Sequence, residues 1–209
     1  MNSRTATAQE LPWVPFEDRR RARDQKREAV LRMAVTMFLE QGYHRTSLNE
    51  VATRLNITKP ALYNYFSSKE DILFECYRLG REMYDESIDA IRKQDGSGIE
   101  KLRALIRAYA SVVTQDFGMC LVRLDDRELG DKQRAEVRAA KRRYDAAFRK
   151  QIMAGIEDGS IRPCDPKLVT FAITGALNRI GDWYRPDGEL PVDAISDSFA
   201  EHLTQGLAP

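Results

Sequence analysis

The order of residues 46–69 decides the fold at the front of this chain: Thr-Ser-Leu-Asn-Glu-Val-Ala-Thr-Arg-Leu-Asn-Ile-Thr-Lys-Pro-Ala-Leu-Tyr-Asn-Tyr-Phe-Ser-Ser-Lys. Ser47 and Thr58 each precede a short run with regularly spaced apolar residues, which is where a hydroxyl side chain caps a helix. Pro60 falls in the first turn of the second run, where its missing N–H costs nothing. The pattern predicts two short helices joined by a tight turn, with a longer helix starting after Ser68.

These two short helices meet the packing requirements of a helix-turn-helix. Ala52 is a small residue for the helix crossing, and Asn56-Ile57 is a turn too short to let the helices separate. The inner apolar positions are Leu48, Val51, Leu55, Leu62 and Phe66. Glu50 stands three residues after Ser47, so we also expect a capping box. The outer face of the second helix is free to enter a DNA major groove, ~12 Å wide.

The segment resembles the DNA-binding domain of the TetR family of bacterial transcriptional regulators. The family's run of a basic or small residue, small residues, Leu-Tyr-x-Tyr/His-Phe and then Ser-Lys-Glu stands here as Lys-Pro-Ala-Leu-Tyr-Asn-Tyr-Phe-Ser-Ser-Lys-Glu at 59–70, within a match over about 26–73. The resemblance implies that the residues near base edges are Lys59, Pro60, Ala61 and Asn64. It implies that the residues near phosphates are Thr46, Ser47, Thr58, Tyr63, Tyr65 and Lys69. Asn64 stands where the family often has His or another aromatic residue, and its amide can pair with adenine.

Several of these residues have an alternative interpretation. Tyr63 and Tyr65 are also what half-buried aromatic residues at helical spacing look like, and Thr58 caps a helix in either case. Lys69 opposes the dipole at a helix start, which a bound phosphate would compensate. The basic run 19–27 is interleaved with acidic residues, so it is either a solvated helix face or a contact to phosphates or the minor groove.

Charge and length divide the chain. Residues 1–69 carry a net charge of +5 and residues 70–209 a net charge of −4, an asymmetry typical of a chain whose front end meets a polyanion. We expect a flexible arm over 1–18, a DNA-binding domain over 19–73 and a helical domain over 74–209.

The rest of the chain keeps helical periodicity and shows no alternation typical of strands, so we predict an all-α fold of about nine helices. Gly159 should end one helix, and Asp165-Pro166 should start the next with a cap and a first-turn proline. We interpret Gly96-Ser97-Gly98 as a linker. One predicted helix face consists of Leu102, Leu105, Ile106, Tyr109 and Val113. Another consists of Val137, Ala140, Tyr144, Ala147, Phe148 and Ile152.

The family resemblance implies a ligand pocket between the middle helices and a homodimer formed by the last two. Small residues at 172, 175 and 176 allow close helix approach. Ile195, Phe199 and Leu203 form a second apolar strip that a monomer would leave exposed.

Candidate ligand contacts are Phe117, Met119, Arg123, Phe148, Phe171, Asn178 and Trp183, although each of these types is also usual in a core. Residues 175–188 look like a subset of the family that governs lipid, steroid or branched-chain acyl catabolism and responds to acyl-CoA thioesters. Cations for CoA phosphates, or for ordinary surface ion pairs, are Arg123, Arg127, Arg138, Lys141, Arg142 and Arg179.

Other classes are disfavoured. The chain has no GxSxG, HExxH or P-loop, so we expect neither an enzyme nor a cofactor. Three separated cysteines and two histidines argue against a metal site or a disulfide framework, and we expect three buried thiols. No apolar run approaches ~18 residues, and residues 1–16 contain no signal peptide, which predicts a cytoplasmic protein.

The sequence therefore predicts a dimeric repressor that reads a pseudo-palindromic operator and is released by an apolar effector such as an acyl-CoA. The alternative is a helical interaction module that binds an anionic membrane or a partner protein without sequence-specific DNA binding.

Overall fold

A computed structural model describes residues 16–209, which form an all-α fold with nine α-helices and one 3₁₀ turn, as predicted. The helices are α1 (Phe16–Gln41), α2 (Leu48–Arg54), α3 (Lys59–Tyr63), α4 (Lys69–Lys93), α5 (Gly98–Val113), α6 (Asp116–Arg123), α7 (Asp131–Glu157), α8 (Pro166–Trp183) and α9 (Val192–Gln205). The 3₁₀ turn, Asp126–Glu128, lies between α6 and α7. Residues 16–18 of the predicted arm belong to α1, and the rest of the arm, with the segment assessed for a signal peptide, lies outside the described residues.

The predicted hydroxyl caps begin α2, α3 and α4. Ser47 accepts a hydrogen bond from Glu50 N at 3.1 Å, Thr58 from Ala61 N at 3.4 Å, and Ser68 from Asp71 N at 3.0 Å. Each bond satisfies a backbone donor that a helix start leaves without an intrahelical partner. These local signals are confirmed.

The predicted capping box at Ser47 is wrong in its second half. The Glu50 carboxylate accepts from Gln41 Nε2 at 3.2 Å, because the end of α1 lies beside the start of α2. A full capping box occurs instead at Ser97, where Glu100 Oε2 accepts from Ser97 N at 2.8 Å. The stretch interpreted as a linker is therefore the start of α5. A Cβ on Gly98 would lie 2.1 Å from Gly155 N, so this helix start requires glycine to pack on α7.

Two main hydrophobic cores and a smaller cluster hold the helices together. One core joins α1 to α2, α3 and the first turns of α4, and includes Leu62, Phe66 and Cys76. The larger core lies among α4, α5, α7, α8 and α9. We call the smaller one the junction cluster; its buried members are Leu73, Tyr77, Leu129 and Val137, and Tyr43 packs against them. Helix α4 runs without a break through the predicted domain boundary at 73/74 and so belongs to both regions.

The predicted apolar strip on α9 is partly wrong. Ile195 is 3% exposed and packs inside its own chain, because α9 lies against α5. The outward apolar residues lie mainly on α8, where Leu168, Phe171 and Trp183 are 63%, 48% and 45% exposed. A Cβ on Gly175 would meet nothing within 4 Å, so this face is open to a close neighbour.

Two of the three cysteines, Cys76 and Cys120, are buried, and burial raises the pKa of the Cys76 thiol well above its usual range. Cys164 is only half-buried, which corrects the expectation of three buried thiols. Within residues 16–209, no helix is long and apolar enough to cross a membrane. The same residues contain no cluster of His, Cys, Asp and Glu suited to a metal ion.

Candidate functional site

A shallow depression of about 610 Å³ lies where the starts of α2, α3 and α4 meet. We call it the concave surface. Half of the predicted DNA-contact residues line it: Thr46, Ser47, Lys59, Tyr63 and Lys69. The side chain of Tyr63 is outside the core at 43% exposure, and Lys59 Nζ lies 5.8 Å from the centre of its ring. A lysine, an exposed tyrosine and a serine hydroxyl on one open surface can all donate hydrogen bonds to phosphate oxygens.

Lys69 is held in place by the link between α1 and α2. Its Nζ donates to Tyr43 O at 2.9 Å and to His44 O at 3.4 Å, and it lies 4.6 Å from the centre of the Tyr43 ring. These contacts compensate the unfavourable helix-dipole position from within the protein. They also place the ammonium at the edge of the concave surface, where its contact with a phosphate stays a prediction.

Thr46 differs from the other residues of this surface. Its side chain is buried at 1% exposure, and its hydroxyl donates to Gly42 O at 3.0 Å. The hydroxyl also lies 3.3 Å from Gln41 Nε2, which fixes the link between α1 and α2. Only the neighbouring backbone of Thr46 reaches the surface, and a phosphate contact there stays a prediction.

The other predicted DNA contacts surround α3 without lining the concave surface. Thr58 and Pro60 are exposed at its start, Ala61 is half-buried, and Asn64 is exposed as its C-cap. Tyr65 is half-buried and packs against the α1–α4 core, as its alternative interpretation expects. The side chain of Asn64 is therefore available to a partner, while that of Tyr65 is partly occupied.

The sequence analysis missed two residues of this surface, Tyr43 and His44. The Tyr43 ring lies 5.1 Å from that of Phe38, and burial together with the carboxylates of Glu128 and Glu70 raises the pKa of Tyr43 to about 12. His44 is exposed, and its Nε2 lies 3.0 Å from Glu128 Oε1. Their position directly before Arg45-Thr46-Ser47 was the available signal, but neither belongs to a helix pattern.

Behind this surface, Glu75 ties α1 to α4. Its carboxylate accepts from Arg78 at 2.8 Å and from Arg27 at 2.7 Å. The hydrogen bonds from Arg78 and then Arg27 outweigh the opposing effect of burial and lower the pKa of Glu75 to about 2. Arg27 also lies 4.6 Å from the Phe66 ring, next to the end of α3.

A second site lies in the body, where α4, α5 and α7 enclose a cavity of about 50 Å³. Its walls are mostly aromatic and aliphatic, and include Phe74, Tyr77, Tyr84, Val137 and Ala140. Ligand pockets in proteins usually measure ~300–1,000 Å³. In this conformation the cavity has room for a few water molecules, and a larger ligand requires its walls to move.

Three buried polar atoms at this cavity have no hydrogen-bond partner within residues 16–209: the hydroxyls of Tyr84 and Tyr144 and Nε of Arg81. Tyr84 is 1% exposed, and its ring packs edge-on against Tyr144 at 4.8 Å and Tyr109 at 5.1 Å. Burial raises the pKa of both unpaired tyrosines well above the ordinary value, so both hydroxyls keep their protons. Buried donors without partners are costly, and donors that converge on a cavity favour a ligand with an acceptor group.

An open groove of about 530 Å³ adjoins the cavity and shares Tyr109, Leu121, Lys141 and Tyr144 with it. Three predicted ligand residues line this groove: Arg123, Phe171 and Asn178. Asn178 Oδ1 accepts from the Tyr109 hydroxyl at 2.6 Å, so it links the groove to the cavity wall. Asp125, Asp126 and Asp145 also line the groove. The first two are paired with Arg127, Arg138 and Lys141.

The remaining predicted ligand residues lie elsewhere. Phe148 is fully buried in the large core, and Phe117 packs against the α1–α4 core. Met119 lines a separate surface depression near α1, and Trp183 stacks on Phe199 at 6.3 Å. None of the predicted ligand residues lines the cavity. Tyr84 and Tyr144, which do, were assigned to no ligand site, because inward-facing tyrosines do not show in sequence which of them meet a void.

Family comparisons match both regions. Residues 30–76 match the family described as bacterial regulatory proteins, tetR family. Residues 95–207 match the family described as tetracyclin repressor-like, C-terminal domain.

Relatives align over most of the chain. The fatty acid metabolism regulator protein of Bacillus subtilis (strain 168) is 25% identical over 181 residues, which cover 85% of this chain and 93% of that protein. The structure of the TetR family transcriptional regulator PfmR from Thermus thermophilus is 27% identical with a TM-score of 0.77, and covers 86% of this chain and 99% of that one. The structure of AibR in complex with isovaleryl coenzyme A and operator DNA is 27% identical with a TM-score of 0.73, and covers 84% of this chain and 96% of that one.

Proposed function

The chain belongs to the TetR family of bacterial transcriptional regulators, and on this basis we propose that it is a dimeric repressor released from its operator by an apolar effector such as an acyl-CoA. Family membership makes the chain a DNA-binding regulator, not an enzyme, and disfavours the interaction module. A regulator of transcription works where bacterial DNA lies, so we place it in the cytoplasm.

The observation that carries the DNA-binding mode is the gathering of Ser47, Lys59, Tyr63 and Lys69 on one open surface. We assign Ser47, Tyr63 and Lys69 to phosphates, and the exposed first turn of α3 together with Asn64 to base edges. Phosphate contacts fix the orientation of the protein, and base-edge contacts select the sequence. The roles of Thr46, Thr58 and Tyr65 as further phosphate contacts belong to the same proposal.

For the effector, we assign the acyl part of the ligand to the cavity and its polar part to the adjoining groove. The hydroxyls of Tyr84 and Tyr144 then donate to the carbonyl oxygen, which gives both buried donors a partner. Arg123 and Lys141 lie along the groove, where they can meet a charged group. The complex of AibR with isovaleryl coenzyme A, a short branched acyl thioester, supports this class of effector.

The exposed apolar face of α8 supports the dimer. Leu168, Phe171 and Trp183 lie in water in a single chain, and burying such residues is what favours a helix-packed interface. Two recognition helices in a twofold dimer would read half-sites about one helical turn apart, ~34–36 Å, or a multiple of that distance.

The DNA-binding proposal is tested by selecting duplexes from a random pool and titrating the full chain with the winner and with a scrambled duplex of equal composition. We expect a dimer in light scattering and affinity at least ~10³ higher for the selected duplex at fixed salt. Equal affinity for both duplexes, or a monomer that still binds the selected one tightly, would refute the proposal.

The effector proposal is tested with isovaleryl-CoA, longer acyl-CoAs, the matching free acids and CoA alone. Acyl-CoAs should raise the melting temperature and weaken operator binding by about 5–150-fold, while CoA alone should do neither. The variants Tyr84→Phe and Tyr144→Phe should blunt both responses and leave operator affinity unchanged. If free acids act as strongly as the thioesters, the CoA part is not recognised, and the assignment of the groove is wrong.

A further inference from the structure

We propose that Asp125–Gly130, which contains the 3₁₀ turn between α6 and α7, transmits the state of the cavity to the concave surface, with Glu128 and Glu70 as positioning residues. We call this segment the connector. The inference rests on the proposed function, since it takes the cavity as the effector site and the concave surface as the DNA site.

One end of the connector holds the DNA-binding region at two points. Glu128 Oε1 lies 3.0 Å from His44 Nε2, and Gly130 N donates a hydrogen bond to the Glu70 carboxylate. These two points flank Lys69, because His44 O accepts from Lys69 Nζ and Glu70 follows Lys69 in the chain. A shift of the connector therefore changes where the Lys69 ammonium lies relative to a phosphate.

The other end of the connector forms part of the cavity wall. Leu129 is 1% exposed within the junction cluster, where it packs with Tyr77 and Val137, and both of these residues line the cavity. The Tyr77 hydroxyl donates to Leu124 O at 2.8 Å, which anchors the residue before the connector. Asp126 accepts from Lys141 Nζ at 3.1 Å, and Lys141 also lines the cavity.

The size of the cavity supplies the motion. A cavity of about 50 Å³ must widen to hold an acyl group, and Tyr77 and Val137 are among the walls that must move. Packed interiors do not absorb such a change continuously, so displaced walls push their neighbours. Leu129 is that neighbour, and Glu128 and Gly130 adjoin it in the chain. The connector is the shortest route of buried contacts and hydrogen bonds from the cavity to Lys69.

A cavity-filling substitution replaces the unidentified effector in the test. Ala140 lines the cavity and is buried, so Ala140→Leu occupies the space from within, and Ala140→Val is a milder version should the larger side chain impair folding. Each is made in the wild-type chain, in the double variant Glu70→Ala/Glu128→Ala, and in the control Glu86→Ala, which removes an exposed carboxylate of α4. Affinity for the selected duplex is measured after thermal unfolding has confirmed that each variant is folded.

We expect the cavity-filling substitution to weaken operator binding about 10-fold in the wild-type and Glu86→Ala backgrounds, within the usual range of allosteric coupling. In the Glu70→Ala/Glu128→Ala background the same substitution should change affinity less than about twofold, the limit of simple additivity. An equal loss in all backgrounds, or no loss in any, would overturn the inference. A wild-type chain that fails to distinguish the selected duplex from the scrambled one would instead overturn the proposed function.

Discussion

The concave surface and the cavity are built in opposite ways. The concave surface comes from one short stretch, residues 43–70, and is open, with its lysine and tyrosine side chains in solvent. The cavity is made by residues from 74 to 144 on α4, α5, α6 and α7, and its unpaired hydroxyls are out of solvent. The difference matches two kinds of ligand. A polyanion is met by exposed cations, in an interaction that salt weakens, whereas a small apolar molecule is recognised where water is excluded.

The largest effect should come from the core that shapes the cavity. Phe148 is fully buried, and its ring lies 6.2 Å from that of Tyr109, so Phe148→Ala leaves a hole behind the cavity wall. We expect a loss of about 3–5 kcal/mol in the free energy of unfolding, measured with urea. Met153, on the same helix but 59% exposed, is the control, and Met153→Ala should stay within about 0.5 kcal/mol. Similar losses for both would contradict the assignment of Phe148 to the core.

Acid should weaken the DNA-binding region through Glu75. The folded-state pKa of Glu75 is about 2, below the ordinary value of 4.5, so its contribution to stability is fully present above about pH 4.5. That contribution is lost as pH falls from 4.5 towards 2, with a slope of at most about 1.4 kcal/mol per pH unit. Urea unfolding across this range should show a shallower slope in Glu75→Gln. Parallel curves for the two proteins would show that Arg27 and Arg78 do not stabilise the ionised carboxylate.

At the concave surface, base reading and phosphate holding should separate. Asn64 is exposed at the end of α3, and its amide can make a bidentate pair, so Asn64→Ala should cost about 1–3 kcal/mol per half-site and relax preference at one base pair. Lys69→Ala is the contrast, since it should weaken all duplexes alike. It should also lower the slope of log affinity against log salt by about 0.9 for each phosphate that the lysine no longer neutralises, roughly 1.8 per dimer. If both variants show the same uniform loss and the same change in slope, Asn64 is not a base reader.

The smallest effect concerns the cap of α2. Ser47→Ala removes the bond from Glu50 N, and we expect a loss of about 1 kcal/mol in the free energy of unfolding. Ser47→Asp should restore that stability while weakening operator binding, because a carboxylate caps a helix but repels a phosphate. Unchanged DNA affinity in Ser47→Asp would show that Ser47 only caps the helix.

The two regions also differ in how well the sequence predicts them. Ser47, Thr58 and Ser68 cap the helices they were expected to cap, because a cap depends on residues three positions apart. The Glu50 side chain did not follow that local rule, since Gln41 of another helix offered it a donor. Ile195 likewise satisfied the helical pattern but faces α5 of its own chain and not a second copy.

By itself, the sequence determined the helix-turn-helix, the all-α fold and the family, because caps, prolines and apolar periodicity act between neighbours along the chain. Only the tertiary structure decided which inward-facing side chains surround a void, and that Tyr84 and Tyr144 do so with unpaired hydroxyls. It also decided that Glu128 lies against His44, 84 positions earlier in the chain. Periodicity fixes the side of a helix that turns inward, whereas the residues that meet there depend on how separate helices pack against each other.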